Sequence, residues 1–227
     1  MNSPKGLTDH SLPSTQHFDI MLTSNELRWF YPGKIPEDIK VWFQRCCLID
    51  QEQLPETRED IYLYVPESNF LGIKLRHGSL EVKWRTAELG VVGFGELVAG
   101  NAEKWAKWSC EDPTGESFHP TTVLSKSSWV RVEKTRYLQS YQVLSDFSVQ
   151  SVANDECIDS ACSLEITQLL IQNNTWWSLA LEANAEDQRL MANLQATAKS
   201  VFKTYRGAKL LATNSYAYPY WLGLVCG

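Results

Sequence analysis

The spacing of apolar and polar positions changes several times along the chain, and each change predicts an element. Residues 25–31, NELRWFY, alternate and predict a short strand that carries Glu26, Arg28 and Phe30 on one face. Pro32-Gly33 ends it. From Pro36 the period becomes helical. Pro36 suits a first turn, Glu37 and Asp38 complement the positive helix end, and Ile39, Trp42, Phe43, Cys46 and Ile49 recur at steps of three and four. IYLYV at 61–65 predicts a strand closed by Pro66.

The stretch FLGIKLRHGSLEVKWR, residues 70–85, predicts two strands joined by a tight turn at His77-Gly78. With that turn, Lys74 stands opposite Glu81 and Arg76 opposite Ser79. One face then carries Lys74, Arg76, Glu81, Lys83 and Arg85, and the other Ile73, Leu75, Leu80, Val82 and Trp84. WVRVEKTRYLQSYQVL from Trp129 predicts a further strand with Lys134 and Arg136 on one face and Arg131 and Glu133 on the other. SLEITQLLIQ, then NNT, then WWSLALEAN predict a second hairpin, with Glu165 and Thr167 sharing a face, and Ser178, Ala180 and Glu182 sharing one on the return strand. A helix is predicted from about Ala185, with Leu190, Met191, Leu194, Ala198, Val201 and Phe202 at helical spacing. GVVGFG reads as loop, GNAEKWAKWSC as strand or short helix, 111–128 as loop, 151–160 as an acidic loop, and the end of the chain as aromatic and turn-rich. Residues 1–20 read as a loose polar tail, leaving 21–227 as a single domain. Strands cluster and alternating βα units are absent, so the fold class is α+β with a mostly antiparallel sheet or barrel.

The chain has 227 residues, enough for one sizeable core, and its net charge is −6. That charge gives no reason to expect nucleic acid or a membrane as partner. Six cysteines include no CxxC pair, and no signal-type segment opens the sequence, so reduced thiols in the cytoplasm are expected. No P-loop, HExxH or GxSxG is present, the four histidines stand apart, and Cys157 and Cys162 alone do not make a zinc site. Trp176-Trp177 reads as packing.

The chemistry lies in ions on strand faces, and two arrangements account for them. In one, the charged faces look into water and the apolar faces share a core. In the other, the sheet closes into a barrel with the ions inside and the apolar faces outside under helices. Lys and Arg enclosed in that way need Glu partners or a bound anion. A polyphosphate suits such a lumen through its many acceptor oxygens, with Glu beside it to hold Mg²⁺ or Mn²⁺.

On these residues the sequence resembles the CYTH family of triphosphate tunnel proteins. LGIKLRHGSLEVKWR is similar to the family's "LRxR, turn, LxxK" hairpin, VEKTRYLQSY to its KxR strand, SLEITQLL with WWSLALEAN to its Glu-bearing late strands, and TNSYAYPYWL to its Ser-Tyr tail. These motifs follow the family's order over roughly residues 25–222. The resemblance implies an antiparallel barrel of about eight strands with a charged lumen and flanking helices. It also implies that Lys74, Arg76, Lys83, Lys134 and Arg136 grip phosphates; Arg85 and Arg28, on the charged faces of their strands, are expected to join them. Glu26, Glu165 and Glu182 would hold Mg²⁺ or Mn²⁺. The family's opening ExExK stands here as Glu26-Leu27-Arg28-Trp29-Phe30, and its late ExE as Glu182-Ala183-Asn184, so two carboxylates are missing.

The function expected on this footing is metal-dependent hydrolysis of an inorganic or organic triphosphate. The first alternative is a module that binds a small phosphorylated or otherwise anionic metabolite without turning it over. The second is a lipocalin-like carrier of an apolar ligand, which requires Ile73, Leu75, Val82 and Trp84 inside and Lys74, Arg76 and Lys83 in water.

Overall fold

A computed structural model describes residues 22–46, 54–111, 123–126, 128–154, 160–185 and 189–227. The tail expected over 1–20, Ile49, Cys157 and the greater part of the loop expected at 111–128 lie outside the described residues. In chain order the elements are β1 (Leu22–Pro32), α1 (Glu37–Cys46), β2 (Glu56–Leu63), β3 (Leu71–Arg76), β4 (Ser79–Phe94), β5 (Val98–Glu111), β6 (Trp129–Val143), β7 (Val149–Val152), β8 (Ser160–Ile171), β9 (Asn174–Ala185), α2 (Leu190–Phe202), a 3₁₀ turn (Ala212–Asn214) and α3 (Tyr218–Cys226).

Eight of the strands form a closed antiparallel barrel in the order β2-β3-β4-β5-β1-β9-β8-β6, with β6 pairing back to β2 and β7 attached outside on β6. Two tight turns set the register. His77 and Gly78 both have positive φ, 47° and 80°, and so do Gln172 and Asn173, 47° and 63°. Two successive residues with positive φ are the hairpin turn whose twist matches the strands it joins. The second turn therefore falls at Gln172-Asn173, one residue before the predicted NNT.

Closure turns the two-faced strands into two separate cores. Outside the barrel, Leu27, Trp29, Leu164, Ile166, Leu179 and Leu181 are buried with Ile39, Trp42 and Phe43 of α1 and Leu194, Ala198, Val201 and Phe202 of α2. Trp42 stacks on Phe202 with centroids 5.7 Å apart and donates its indole N–H to the Val201 carbonyl. Inside, one end of the barrel is filled by Phe30, Tyr62, Val130, Val132, Leu169 and Ile171 around Trp221 and Leu222 of α3. Phe30 stacks on Trp221 at 5.0 Å. Each indole buried in this way contributes on the order of 3–5 kcal/mol relative to Ala.

The C-terminal segment also repairs the sheet. β1 pairs with β5 only as far as Glu26↔Glu103, after which the two strands diverge. Ser215 bridges to Trp29 in the gap, and the Tyr216 N–H donates to the Arg28 carbonyl at 3.0 Å. The Asn101 amide donates to the carbonyls of Ala212 and Ser215 at 2.9 and 2.7 Å.

Several predictions of local structure need correction. Gly90 to Phe94 of GVVGFG are the far end of the long strand β4, not a loop, because they pair with β5 down to Phe94↔Val98, and the turn begins only at Gly95. GNAEKWAKWSC is strand throughout. β2 starts at Glu56 and ends at Leu63, earlier than the predicted 61–65 at both ends. Residues 151 and 152 belong to β7, and the tail carries helix α3, where Pro219 in the first turn is compatible with the helix.

Gly100 gives a direct test of the seam. A Cβ there would overlap the Trp29 indole and stand 3.0 Å from Ser215 Oγ. Gly100→Ala is expected to lower stability by about 1–3 kcal/mol in urea unfolding. Gly93→Ala, whose Cβ would meet only the Val98 carbonyl at 3.8 Å, is expected to stay within about 0.5 kcal/mol.

Candidate functional site

Inward positions alternate along every strand of the barrel, and beyond the apolar filling they become charged. They surround an open cavity of about 280 Å³. Its cations are Arg28 from β1, Arg58 from β2, Lys74 and Arg76 from β3, Lys83 from β4, Lys107 from β5, and Lys134 and Arg136 from β6. Its carboxylates are Glu26, Glu81, Glu165 and Glu182. The hairpin of β3 and β4 thus turns its ions inward, and the lining has eight cations against four carboxylates. The lipocalin-like arrangement required the opposite orientation and is overturned by it.

The deepest of the ion clusters centres on Asp60, which is fully buried. Arg76 grips its carboxylate with two bonds, Nε to Oδ1 at 2.7 Å and Nη2 to Oδ2 at 2.9 Å. Lys134 approaches at 2.8 Å, Arg58 at 3.7 Å and Lys74 at 3.9 Å. Lys134 also donates to the Tyr62 hydroxyl at 2.7 Å and sits 3.9 Å from the centre of the Tyr218 ring. Tyr218 lies parallel to Tyr62 at 5.3 Å and has the Arg28 guanidinium 5.0 Å from its centre, so α3 forms the floor of the cavity.

Three further clusters line the wall. Glu165 accepts from Arg28 Nη1 at 2.8 Å, from Arg136 Nε at 2.5 Å and from the Thr167 hydroxyl at 2.9 Å. Lys83 binds Glu26 and stands 3.4 Å from Glu182, while the Ser24 hydroxyl donates to Glu26 at 2.7 Å. Glu81 is shared by Lys74 at 3.1 Å, Lys107 at 3.1 Å and Arg76 at 3.3 Å. Arg85 shares the inward phase of β4 but does not line the cavity. It is held by Glu103 at 2.7 Å and Glu88 at 2.8 Å.

The network displaces proton affinities in both directions. Burial raises the Asp60 carboxyl, but Lys134, Arg76 and Lys74 overcome it and hold the group far below the usual carboxylate range. Glu165 is likewise held well down against burial by Arg28 and Arg136, and Glu81 is held at about 2 against burial by Lys74, Arg76 and Lys107. Glu26 moves the other way, raised by burial and by its neighbour Glu182. Burial brings Lys74 down to about 7 and Lys134 to about 8, because Asp60 offsets only part of their desolvation.

Six of the seven predicted phosphate-binding residues therefore converge, and Arg85 stands apart. Sequence reasoning missed Asp60, Arg58, Lys107 and the floor ring Tyr218. Extending the alternation back from Tyr62 places Asp60, Arg58 and Glu56 on the same face. Lys107 is paired directly with Lys83 and so shares its face.

The carboxylates implied as metal ligands do not fit that role in this arrangement. Glu165 is engaged by two guanidinium groups, and Glu26 and Glu182 enclose an ammonium. Among the described residues no group of three or more His, Cys, Asp or Glu is placed to hold a metal ion. Hard divalent cations need oxygen ligands free of competing cations.

No family model matches the chain, and no curated protein matches it. Among solved structures it is similar to a protein of Pyrococcus horikoshii OT3, with 12% identity over 89% of this chain and 98% of that one at a TM-score of 0.43. It is also similar to a conserved hypothetical protein from Pyrococcus furiosus, with 12% identity over 87% of this chain and 98% of that one at a TM-score of 0.40. Among the described residues, no helix is long and apolar enough to cross a membrane.

The lowered lysines make a signed prediction. Their folded values, about 7 for Lys74 and about 8 for Lys134, lie below the ordinary lysine value. Between pH 7 and 9 the unfolded chain therefore binds more protons than the folded one, so ligand-free stability rises with pH, by about 3–4 kcal/mol. Urea midpoints across that interval measure it, and Lys74→Met is expected to remove part of the rise.

Proposed function

We propose that the barrel is a binding module for a small phosphate-bearing anion, with a polyphosphate as the best match. The observation that carries this reading is the charge of the lining: among the described residues, eight cations face four carboxylates, with Asp60 buried behind them as a fifth, in a protein of net charge −6. Such an excess supports an anionic occupant: each lining cation is ion-paired, but Asp60 and Glu81 are each shared by three or more of them, so an anion adds to the counter-charge that those carboxylates divide. The groups are well suited to phosphate. Arg58 Nε carries a buried N–H that makes no hydrogen bond, and Arg76, Arg136 and Lys83 are all partly exposed to the cavity. Guanidinium and ammonium donors from β1, β2, β3, β4, β5 and β6 converge on one volume, so a ligand with several oxygens meets them from opposite walls.

The resemblance to the CYTH family supports the same class of ligand and supplies the second reading, triphosphate hydrolysis. Hydrolysis of that kind relies on a divalent cation to polarise the terminal phosphoryl group. The engagement of Glu26, Glu165 and Glu182 by Lys83, Arg28 and Arg136 favours binding over turnover.

Tripolyphosphate is the probe. At a hundredfold excess over Kd it is expected to stabilise the protein by about 2.7 kcal/mol in thermal or urea unfolding. Arg76→Gln and Lys83→Gln are each expected to weaken it about tenfold or more, the equivalent of one charge-assisted hydrogen bond. Affinity should decline as pH passes the values of about 7 and 8 at which Lys74 and Lys134 lose their charge. Absence of any stabilisation overturns the reading. Phosphate release from tripolyphosphate with Mg²⁺ or Mn²⁺, beyond that of a Glu165→Gln control, favours the hydrolase instead.

A further inference from the structure

Two side chains occupy the carboxylates that a divalent cation would need, Arg28 on Glu165 and Lys83 on Glu26 and Glu182. Arg28 projects from the middle of β1 with its Nη1 2.8 Å from Glu165 and 3.4 Å from the Ser178 hydroxyl. Lys83 enters from β4, the second strand away from β1 in the barrel, and lies between Glu26 and Glu182, which are themselves paired across β1 and β9. Both cations are therefore fixed on the carboxylates of three inward positions, and both face the same cavity.

These contacts are built in rather than incidental. Arg28 is buried, with a side-chain exposure of 9%, and its guanidinium is supported from below by the Tyr218 ring. Its backbone is also tied to the C-terminal segment through the bond from the Tyr216 N–H. Lys83 is more open, at 29%, and so has donor capacity left for a ligand. A divalent ion entering this region would meet two resident positive charges within the ligand set, without a free carboxylate pair to bind.

We infer that Arg28 and Lys83 serve as resident cations in place of a divalent metal, so that the barrel takes its polyphosphate as the metal-free polyanion. This rests on the anion-binding reading above and deepens it. The two cations give the ligand positive partners without an exchangeable ion, and the remaining basic wall selects the most highly charged form. A magnesium complex of the same polyphosphate is rejected on two counts. It has lost negative charge that the eight-cation lining would otherwise bind, and its metal lies among fixed ammonium and guanidinium groups. Magnesium thus acts as a competitor for the ligand, withdrawing it from the protein.

Calorimetric titration with tripolyphosphate, at matched ionic strength and pH 7, distinguishes the outcomes. In chelator, tight binding is expected. With magnesium in excess over ligand, affinity is expected to fall about tenfold or more. Equal or stronger binding with magnesium overturns the inference and leaves the anion-binding reading standing. No binding under either condition overturns both.

Arg28→Gln and Lys83→Gln, separately and together, complete the test. Each is expected to weaken binding in chelator, and the double substitution is expected to bind Mn²⁺ alone, read by its electron paramagnetic resonance signal, where the unaltered protein does not. Mn²⁺ binding by the unaltered protein at micromolar concentration would sink the inference. A thermal melt establishes that each variant is folded. Should the double variant fail to fold, the comparison of magnesium with chelator on the unaltered protein and on Lys83→Gln decides the matter, with the inhibition by magnesium expected to shrink in Lys83→Gln and an undiminished inhibition counting against a role for Lys83.

Discussion

A charge enclosed by a barrel must have its counter-charge enclosed with it, and in this protein that constraint is met first at Asp60. Its carboxylate is fully buried and is approached by Arg76, Lys134, Arg58 and Lys74. Without it, four cations on three neighbouring strands would face one another across a space poor in water. Desolvation would then neutralise the lysines or open the barrel. With it, β2, β3 and β6 are joined by ion pairs at the place where the β2–β6 pairing closes the ring. The same buried group thus lies both at the centre of the site and at the seam where the sheet closes.

The barrel has two fillings of opposite character. Toward one end, Phe30, Val132, Leu169 and Trp221 exclude water as an ordinary apolar core does. Toward the other, the same strands carry Arg28, Lys134 and Glu165. Tyr62 and Tyr218 stand at the junction, with apolar bodies against the plug and a lysine against their rings and hydroxyl. An aromatic ring is well suited to this boundary, because its face accepts a cation while its edge packs against carbon. The ion site therefore rests on a rigid floor supplied by the C-terminal helix, and that helix is held by the seam of Ser215, Asn101 and Trp29 along β1.

Legibility from the sequence followed the strength of local alternation. The hairpins at 71–85 and 160–185 have short turns, and alternation is clear at 71–76, 79–85, 163–167 and 178–182, so their charged faces could be read directly, although the apolar phase of β8 shifts from Leu164 and Ile166 outside the barrel to Leu169 and Ile171 inside it. Whether those faces look inward is a property of closure, which depends on the β2–β6 pairing between residues 66 to 80 apart and leaves no local mark. Asp60 was lost for a related reason. ETRED looks like a solvated charged run when taken alone, and only its phase relative to Tyr62 places alternate members inside. GVVGFG misled through its glycines. Gly90 does take a positive φ of 86°, at an irregularity where the register between β4 and β5 shifts, yet the strand continues past it. The terminal helix was hidden because Tyr218, Trp221 and Leu222 enter the barrel at helical spacing while the opposite face is also apolar, with Tyr220 and Leu224 exposed, so no polar side sets the stripe apart.

The balance of charge sets how such a site can work. If every cation had an exclusive carboxylate, a ligand could bind only by breaking ion pairs, and it would gain little. If none had, the empty barrel would be unstable. The arrangement lies between these limits. Asp60 and Glu81 are each shared among three or more cations, so any one of those cations can turn toward a ligand while the carboxylate keeps its other partners. Lys74 touches both carboxylates, and burial holds its proton affinity near neutrality, so an arriving anion stabilises its charged form. Sharing thus keeps the empty barrel tolerable and leaves its cations available. The same sharing explains why fixed positive groups beside Glu26, Glu165 and Glu182 are compatible with a site that still attracts anions.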